Sequence, residues 1–389
     1  MNTHDETTAA SPEFEQGPIR PPSEAHSLLI RVTRNCPWNR CTFCPVYKGT
    51  KFSIRTVHDV TSDIDAIYRH AETLRQRVDE SGRISQHELT RVAENLDPTE
   101  AQAFAAAYHW LSVGGMRSVF LQDANSLAIK TPDLLAILSH LRRRFPAIKR
   151  VTSYARAQTI AHKSELDLKA IRDGGLDRLH LGLESGCNEV LKAVKKGVTK
   201  EMHIEAGRKS RKAGFELSEY YMPGLGGRNL SEAHALESAD ALNKIDPHYI
   251  RLRTLAIPSG APIAEDLRTG RFDKCTDVMV ARELLMFIEH LDGIRSIVKS
   301  DHILNLFEEL EGVLPRDQGR MIETLRTFLA LEPKRQMLYQ VGRRLGLLSR
   351  IDDMKDPHTL ALIEETCQRM KITPLNVDAL IDDIVRRYV

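Results

Sequence analysis

The sequence contains no apolar run approaching the ~18–20 residues that a membrane-spanning helix needs. Residues 1–22 are polar and have no apolar stretch preceded by basic residues, so no secretory signal is visible. An excess of one charge is also missing, because 55 Lys and Arg stand against 53 Asp and Glu. This balance removes the bulk electrostatic argument for a dedicated nucleic-acid-binding protein. We therefore expect a cytoplasmic protein that uses neither a membrane nor a nucleic acid as its partner.

Cysteine is scarce, with six residues in a chain of 389. A secreted scaffold held by disulfides would need more cysteines in a shorter chain. Three of the six are crowded into nine residues, at Cys36, Cys41 and Cys44, and the others are scattered at Cys187, Cys275 and Cys367. Three thiols this close together in a chain without an export signal indicate a metal site.

The periodicity of the apolar residues predicts an α/β fold. The run from Ser27 to Thr33 is typical of a buried strand in a parallel sheet, and the cysteine loop follows it. We predict five further strands, separated by helices, at residues 118–121, 150–154, 178–183, 215–221 and 249–257. Repeated strand–helix units imply a parallel sheet with right-handed crossovers. Six such units favour a partial (β/α)6 barrel of the TIM type over a single dinucleotide-binding half.

Composition and proline content set the expected domain boundaries. The 42% of hydrophobic residues excludes a wholly disordered chain. We predict a disordered tail over residues 1–26, a barrel over residues 27–300 with a helical insert at about residues 56–111, and a helical C-terminal extension over residues 301–389. Within the extension, apolar residues from Ile303 to Leu310 resemble one face of a helix that opens at Ser300, with Asp301 as a possible N-cap.

The cysteine loop has the spacing C-x4-C-x2-C. A structural zinc site needs four ligands, usually in two close pairs, and the second pair is missing here. Four thiolates would fully ligate an iron–sulfur cubane, whereas three leave one iron open to a substrate. The alternative, three buried or zinc-binding cysteines, stays open at this point.

The loop resembles the signature of the radical S-adenosylmethionine (radical SAM) enzymes, whose three cysteines are commonly spaced C-x3-C-x2-C. The first spacer is one residue longer here, and the aromatic Phe43 before Cys44 fits the pattern. The resemblance implies one [4Fe–4S] cluster on Cys36, Cys41 and Cys44 that binds SAM and cleaves it to a 5′-deoxyadenosyl radical. That radical would abstract hydrogen from an unidentified small-molecule or macromolecular substrate. The electron would come from a flavodoxin or a ferredoxin.

The same resemblance implies further contacts with SAM at the strand ends. Asp123 and Asn125 follow the second strand, where the family binds the SAM ammonium, although a polar loop with a helix cap is an equal alternative for each residue. The segment Leu181–Gly186 and the following Lys-Lys-Gly-Val-Thr are similar to motifs of coproporphyrinogen oxidase-like proteins and of methylthiotransferases. By that match Glu184 and Ser185 contact the ribose or amino end of SAM. Lys196 pairs with its carboxylate, in place of the usual Arg.

Three more residues complete the cofactor site that the resemblance implies. Glu219 on the fifth strand corresponds to an acidic residue that reaches the ribose hydroxyls, although a surface acid is equally consistent with the sequence. Arg156 ends the third strand, and Arg253 alternates with Arg251 on the sixth. Both arginines of the sixth strand would share a face, which we expect to be the barrel lumen because a helix layer would make them costly.

Catalytic and substrate-binding residues are less clearly indicated. The candidates for catalysis are Tyr220, Asp301 and His302, and by position alone Glu232 and His234 are further candidates for binding the substrate. A non-catalytic protein that carries a cluster or a tetrapyrrole on the same fold is the alternative function. The basic runs at residues 142–144 and 192–200 would suit a nucleic-acid partner, although a solvated helix face explains them more simply.

Overall fold

The computed structural model describes residues 14–80 and 83–385. These residues form two compact units. The first contains the described residues up to 35, together with residues 52–153 and 173–177, and the second contains residues 36–51 and 154–172 and those from 178 onward. Both units combine parallel strands with helices, so the predicted α/β class is confirmed.

The first unit is built on three parallel strands. Its elements are β1 (Leu28–Arg31), β2 (Thr33–Arg34), β3 (Ser53–Ile54), α1 (Val57–Arg75), α2 (Gln86–Ala93), α3 (Ala101–Ser112), β4 (Ser118–Gln122), α4 (Thr131–Arg144) and β5 (Arg150–Ala155), of which the last two residues of β5 belong to the second unit. Strand β4 pairs in parallel with β1 and with β5, while β2 and β3 form a separate antiparallel pair. The apolar side chains of the central strand β4 are fully buried, as a strand between two parallel neighbours requires.

Helix α1 begins where the sequence supplies a cap and an apolar stripe. The side chain of Thr56 accepts a hydrogen bond from the backbone N–H of Asp59, which satisfies one donor of the first turn. Val60, Ile64 and Ile67 recur at helical spacing and are completely buried. Helices α1, α2 and α3 together occupy the segment that the sequence analysis assigned to a helical insert.

The N-terminal segment from Phe14 onward is ordered, so the prediction of a disordered tail is wrong for residues 14–26. Residues 1–13 lie outside the described residues, and the prediction stays a prediction there. Phe14 is buried, and residues 22–24 form a 3-10 helix. The amide of Gln122 donates to the carbonyls of Gly17 and Ile19 and accepts from the N–H of Gly17. Composition alone gave no sign of these contacts.

The second unit contains most of the chain. Its strands are β6 (Arg178–Glu184), β7 (Glu216–Tyr221), β8 (Tyr249–Leu252), β9 (Ile297–Lys299) and β10 (Gly312–Val313). Its helices are α5 (Ala157–His162), α6 (Glu165–Asp173), α7 (Asn188–Ala193), α8 (Lys200–Lys212), α9 (Gly227–Ile245), α10 (Ile263–Arg268), α11 (Asp277–Glu289), α12 (Gln318–Leu329), α13 (Pro333–Arg344), α14 (Pro357–Arg369) and α15 (Val377–Val385). Strands β6, β7, β8 and β9 pair in parallel in that order, and β10 is antiparallel to β9. The carboxyl ends of the four parallel strands therefore lie along one edge.

The second unit differs from the predictions at four places. The sixth predicted strand ends at Leu252 and not at residue 257, and β9 follows it as a further parallel strand that was not predicted. Residues 301–310 form turns and no helix, and β10 lies in a region where no strand was expected. A buried amide explains the turns: Asn305 accepts from Thr254 N–H at 3.0 Å and donates to Leu252 O at 2.9 Å, which ties this segment to the end of β8. The partial barrel and the domain boundaries stay predictions.

Candidate cluster and cofactor site

The cysteine loop of the second unit is anchored to the turn that follows α7. The N–H of Thr42 donates to Val194 O at 3.0 Å, and the indole N–H of Trp38 donates to Lys195 O at 2.7 Å. The ring of Phe43 packs against a buried apolar cluster that includes Cys187 and Val194. The Lys-Lys-Gly-Val-Thr motif thus begins with the residues that hold the cysteine loop in place.

A glycine makes this docking possible. Gly197 has φ +73°, and a Cβ at this position would lie 2.2 Å from Cζ2 of Trp38. Any other residue would therefore combine left-handed backbone strain with a steric clash. Neither Trp38 nor Gly197 was singled out from the sequence, although a Gly after two lysines signals a turn.

The three thiols of the loop are free and half-buried. The N–H of Asn39 donates to Sγ of Cys36 at 3.5 Å. Burial raises the pKa of the Cys41 thiol, while the charges of Lys196 and Arg156 act in the opposite direction. Two cations beside these sulfurs favour their thiolate form, which is the form that binds iron.

Arg156 follows β5 and lies against the cysteine loop. Its Nη2 donates to Lys196 O at 3.1 Å, and its guanidinium lies 5.0 Å from the ring centroid of Trp38. Burial lowers the pKa of the guanidinium, and the neighbouring Cys36 and Cys41 oppose that effect. The structure thus brings together Arg156, Lys196 and the cysteines, as the sequence analysis expected of a shared site.

Glu184 and Lys196 form an ion pair at the end of β6. Nζ of Lys196 is 3.2 Å from Oε1 of Glu184 and 5.6 Å from the ring centroid of Phe43. Glu184 has φ +61° at a register shift of the strand, a conformation rare for a residue with a Cβ. A Cβ at Gly182 would lie 2.2 Å from Oε1 of Glu184. The absence of a side chain at Gly182 therefore provides the space that the carboxylate occupies. Such local strain is typical of functional sites.

The hydroxyl of Ser185, which was predicted to contact SAM, forms hydrogen bonds within the protein. It accepts from the N–H of Cys187 at 3.0 Å and lies 2.8 Å from Nδ1 of His234. Both side chains are fully buried. His234, which was expected to bind the substrate, is therefore part of the protein interior.

Glu219 faces helix α8. Its Oε2 is 2.8 Å from Nε2 of His203, and both side chains are buried. Burial raises the pKa of Glu219, and the charge of His203 opposes the rise. Its Oε1 has no hydrogen-bond partner among the described residues. The surface acid that the sequence left open is excluded, and His203 is a partner that the sequence did not reveal.

Asp123 lies in the first unit and is buried in a network of charges. Its Oδ2 accepts from Nε of Arg31 at 2.8 Å and from Asn35 N–H at 3.2 Å. Arg31 also pairs with Glu15 at 2.6 Å. The carboxylate that was expected to accept the SAM ammonium is thus already neutralised by an arginine. Asn125 is likewise buried.

The two arginines of the sixth predicted strand are in different environments. Arg251 is buried, donates to Ser218 Oγ at 3.1 Å and forms an ion pair with Asp301. Arg253 is exposed because it follows the end of β8. The charges of both arginines nevertheless act on the buried hydroxyl of Tyr220, so the prediction that they share a face stays a prediction.

The catalytic candidates lie around this ion pair. Tyr220 is paired in register with Arg251, and its buried hydroxyl has no hydrogen-bond partner among the described residues. Burial, aided by the charge of Arg253, lowers the pKa of His302 to about 4. Asp301 and His302 also line a cavity of about 570 Å³. A neutral imidazole, a phenol and a carboxylate are thus present at the carboxyl edge of the parallel strands.

The residues of the second unit fit a cluster with bound SAM. Three thiols lie on one loop, and the second oxygen of Glu184 is buried with no hydrogen-bond partner that the described residues supply. A carboxylate beside an ammonium suits the two charged ends of an amino acid. Within residues 14–80 and 83–385, no three His, Cys, Asp or Glu side chains are arranged to hold a single metal ion. A cubane cluster makes no such demand, because each thiolate binds a different iron.

The model of the Radical SAM superfamily matches residues 30–239, which is more than half of the chain. The chain belongs to the radical SAM superfamily. The cofactors of this superfamily are a [4Fe–4S] cluster and SAM, so the predicted family and cofactors are confirmed. The match spans the cysteine loop, the Glu184 turn and strand β7.

Individual relatives are distant. The tRNA-2-methylthio-N(6)-dimethylallyladenosine synthase of Flavobacterium psychrophilum is 24% identical over 189 residues, which are 48% of this chain and 34% of that protein. The chain thus spans about a third of the length of this curated relative.

Two solved structures are similar over part of their length. Coproporphyrinogen III oxidase (HemN) from Escherichia coli has a TM-score of 0.44 at 14% identity, covering 68% of this chain and 52% of that chain. Methylornithine synthase (PylB) has a TM-score of 0.42 at 14% identity, covering 77% and 81%. None of the described helices is long and apolar enough to cross a membrane.

Proposed function

We propose that this protein reductively cleaves SAM and uses the product to abstract hydrogen from a substrate. The observation that carries the proposal is the convergence of Cys41, Arg156, Lys196 and Glu184 in the second unit. When bound, a [4Fe–4S] cluster and SAM supply the one-electron chemistry that yields a 5′-deoxyadenosyl radical. A reduced flavodoxin or ferredoxin in the cytoplasm is the proposed electron donor.

The charge of each side chain decides which part of the cluster or of SAM it would bind. Cys36, Cys41 and Cys44 would hold the cluster as thiolates, with Arg156 partly offsetting their negative charge. Glu184 would accept the ammonium group of SAM, and Lys196 would bind its carboxylate after exchanging part of its bond to Glu184. Phe43 fixes the position of Lys196 by packing between it and the apolar cluster below. Within the second unit, Glu219 and Arg253 stay as proposed contributors, whereas the hydroxyl of Ser185 is bonded within the protein. The contacts of Asp123 and Asn125 with SAM stay predictions.

On the substrate side, Tyr220, Asp301 and His302 would orient the substrate and hold its protons. The unpartnered hydroxyl of Tyr220 is the strongest sign of a ligand here, because an unsatisfied buried hydroxyl costs about 1–3 kcal/mol. Burial raises the pKa of Tyr220 well above its ordinary value, so the phenol keeps its proton and acts as a donor. The neutral His302 can accept a hydrogen bond at the pH of the cell.

The test is electron paramagnetic resonance of the reconstituted, dithionite-reduced protein with and without SAM. We expect a [4Fe–4S] signal whose g-values shift when SAM is added. The shift should be lost or need much more SAM in Lys196→Gln and persist in Lys195→Gln, a neighbouring exposed lysine of which the described contacts use only the backbone. If the g-values of the unmodified protein did not change when SAM is added, the proposal would be contradicted.

A further inference from the structure

A fully buried carboxylate, Glu283 of α11, lies behind the end of β7. Its Oε1 accepts from the hydroxyl of Tyr221 at 3.0 Å and from the N–H of Gly224 at 2.7 Å, and its Oε2 accepts from Ser231. Among the described residues the one titratable base paired with it is His234, whose Nε2 is 3.6 Å away and whose imidazole burial keeps neutral. Burying an anion without a cation is costly, and here neutral donors from the chain offset the cost.

His234 of α9 connects this carboxylate to the neighbouring strand end. Its Nε2 is 3.0 Å from the carbonyl of Met222, which can only accept, so Nε2 carries the proton. Its Nδ1 then accepts from the hydroxyl of Ser185. Burial lowers the pKa of His234, which keeps the imidazole neutral and this tautomer in place.

The network links two turns, Glu184–Gly186 after β6 and Tyr221–Gly224 after β7. Besides the path through His234, the N–H of Met222 donates to Glu184 O at 3.0 Å. The ring of Tyr221 is stacked between Phe287, at a centroid distance of 4.0 Å, and His234, at 4.8 Å. Movement of either turn would therefore disturb the other.

A Ser–His–Glu arrangement can also serve nucleophilic catalysis, but the geometry excludes that use. Ser185, His234 and Glu283 all have fully buried side chains, so no substrate reaches the hydroxyl. Nε2 of His234 is bonded to a backbone carbonyl and lies beyond hydrogen-bond distance of the carboxylate. An apolar residue in place of Glu283 would cost less in a core that had only to be packed.

We propose that Glu283 and His234 are positioning residues, which hold the turns Glu184–Gly186 and Tyr221–Gly224 in the conformation that binds SAM. The inference rests on the proposed function, because that function assigns Glu184 to the cofactor. Glu184 lies in the strained left-handed region, and such a conformation persists only where its surroundings over-determine it. Ser185, the residue after it, is the point at which the network fixes the backbone.

The test compares Glu283→Gln and His234→Phe with Ser231→Ala. Ser231 is the matched comparison, because its hydroxyl bonds the other oxygen of the same carboxylate, Oε2, and not the oxygen that holds the turn after β7. Hydrogen exchange is measured by mass spectrometry on the cluster-free protein, over peptides covering residues 182–187 and 221–226. The dissociation constant for SAM is measured on the reconstituted protein. Should Glu283→Gln fail to fold, Tyr221→Phe removes one hydrogen bond to the same carboxylate with little change in shape.

We expect Glu283→Gln and His234→Phe to exchange faster in both peptides and to bind SAM about 10-fold more weakly, the usual cost of losing a supporting partner. Ser231→Ala should have a smaller effect on both readouts than either variant, because it removes one bond to Oε2 and leaves both bonds of Oε1 to the turn after β7. Faster exchange throughout the chain, faster exchange confined to α11, or an unchanged affinity for SAM would overturn the inference. Failure of the unmodified, reconstituted protein to bind SAM would instead reject the proposed function, and the exchange data would still decide whether the two residues hold the turns.

Discussion

Two cationic side chains determine the electrostatic character of the cysteine loop. Arg156 and Lys196 lie close enough to the thiol of Cys41 to oppose the effect of its burial. A [4Fe–4S] cluster on three thiolates becomes more negative on reduction, so nearby positive charge stabilises the reduced state. We therefore expect these two residues to adjust how readily the cluster accepts an electron.

Removing the charge of Arg156 should make the cluster harder to reduce. We expect a more negative reduction potential in Arg156→Gln than in the unmodified protein, because the reduced cluster loses a favourable interaction. Arg156→Lys is the control, since it keeps the charge and loses the stack on Trp38. Redox titration followed by electron paramagnetic resonance measures both variants. Equal potentials in Arg156→Gln and the unmodified protein would contradict this role.

Gly197 should be essential for the cysteine loop and not merely for a turn. In Gly197→Ala the new Cβ meets the ring of Trp38, in addition to about 1–2 kcal/mol of left-handed strain. We expect low iron incorporation on reconstitution, because the loop loses its anchor. Gly270→Ala is a matched control: Gly270 also has φ +73°, and its Cβ would meet no heavy atom of the described residues within 4 Å. Comparable iron content in the two variants would show that the clash is unimportant.

At the scale of elements, the N-terminal segment is held on the first unit by Glu15. Its carboxylate pairs with Arg31 at 2.6 Å and with Arg34 at 2.7 Å, and Arg55 lies 3.6 Å away. Burial alone would raise the pKa of Glu15, but hydrogen bonding to Arg34 and the charges of the three arginines hold it below its ordinary value. A single acid thus connects this segment to strands β1 and β2 and to the residue after β3.

The contribution of Glu15 to stability should depend on pH. A carboxyl group whose pKa is lowered by folding stabilises the protein above its unfolded value of about 4.5, and the stabilisation is lost as the pH falls through the folded value. We expect Glu15→Gln to reduce the free energy of unfolding by about 1–3 kcal/mol at pH 7. The difference between the two proteins should shrink as the pH falls below 4.5. Urea unfolding at several pH values measures it, and a difference that grows in acid would contradict the account.

Asn305 should hold the segment after β9 in its turns. Its side chain makes four hydrogen bonds with Leu252, Thr254 and Ser300. We expect Asn305→Ala to lower the free energy of unfolding by about 2–3 kcal/mol, because buried partners lose their bonds. Asn376→Ala is the control: its amide also bonds nearby backbone, but it is exposed, so water replaces those bonds. Similar losses in both variants, measured by urea unfolding, would contradict the importance of burial.

The elements that the sequence predicted are those with a strong local pattern. Strand β4 and helix α1 carry apolar residues at the spacing that each structure requires. The strand was located closely, and α1 lies at the start of the predicted helical insert. Strand β9 was missed because three residues are too few to show alternation. Residues 303–310 have helical spacing, but the amide of Asn305 bonds the backbone at the end of β8 and so holds the segment in turns. That contact joins residues 51 positions apart. A local pattern of apolar residues cannot predict long-range contacts of this kind.

The site residues that could be predicted are those that lie in sequence motifs. The cysteines, Glu184 and Lys196 stand in segments that resemble family patterns, and the structure brings them together. Partners outside the motifs, such as His203 for Glu219 and Arg31 for Asp123, come from distant parts of the sequence. Glu283 stands in no motif, and only its hydrogen bonds reveal its place.

At the scale of the whole molecule, one family accounts for both the cysteine loop and the strand ends. The Radical SAM match covers residues 30–239, and β8, β9 and helices α10–α15 follow it. Within that later part, the cavity beside Asp301 and His302 is the place where we expect the substrate to be selected. The substrate would then be bound by residues of this later part together with Tyr220 of β7, which lies within the matched region.

The most direct test of this account is the formation of 5′-deoxyadenosine from SAM. The protein is reconstituted anaerobically with iron and sulfide, reduced with dithionite and assayed beside Cys41→Ala and Cys367→Ala. The account predicts product from the unmodified protein and from Cys367→Ala, whose cysteine is buried on α14, and none from Cys41→Ala. A protein that assembles its cluster and never forms 5′-deoxyadenosine, or that fills the loop with zinc in place of iron, would contradict it.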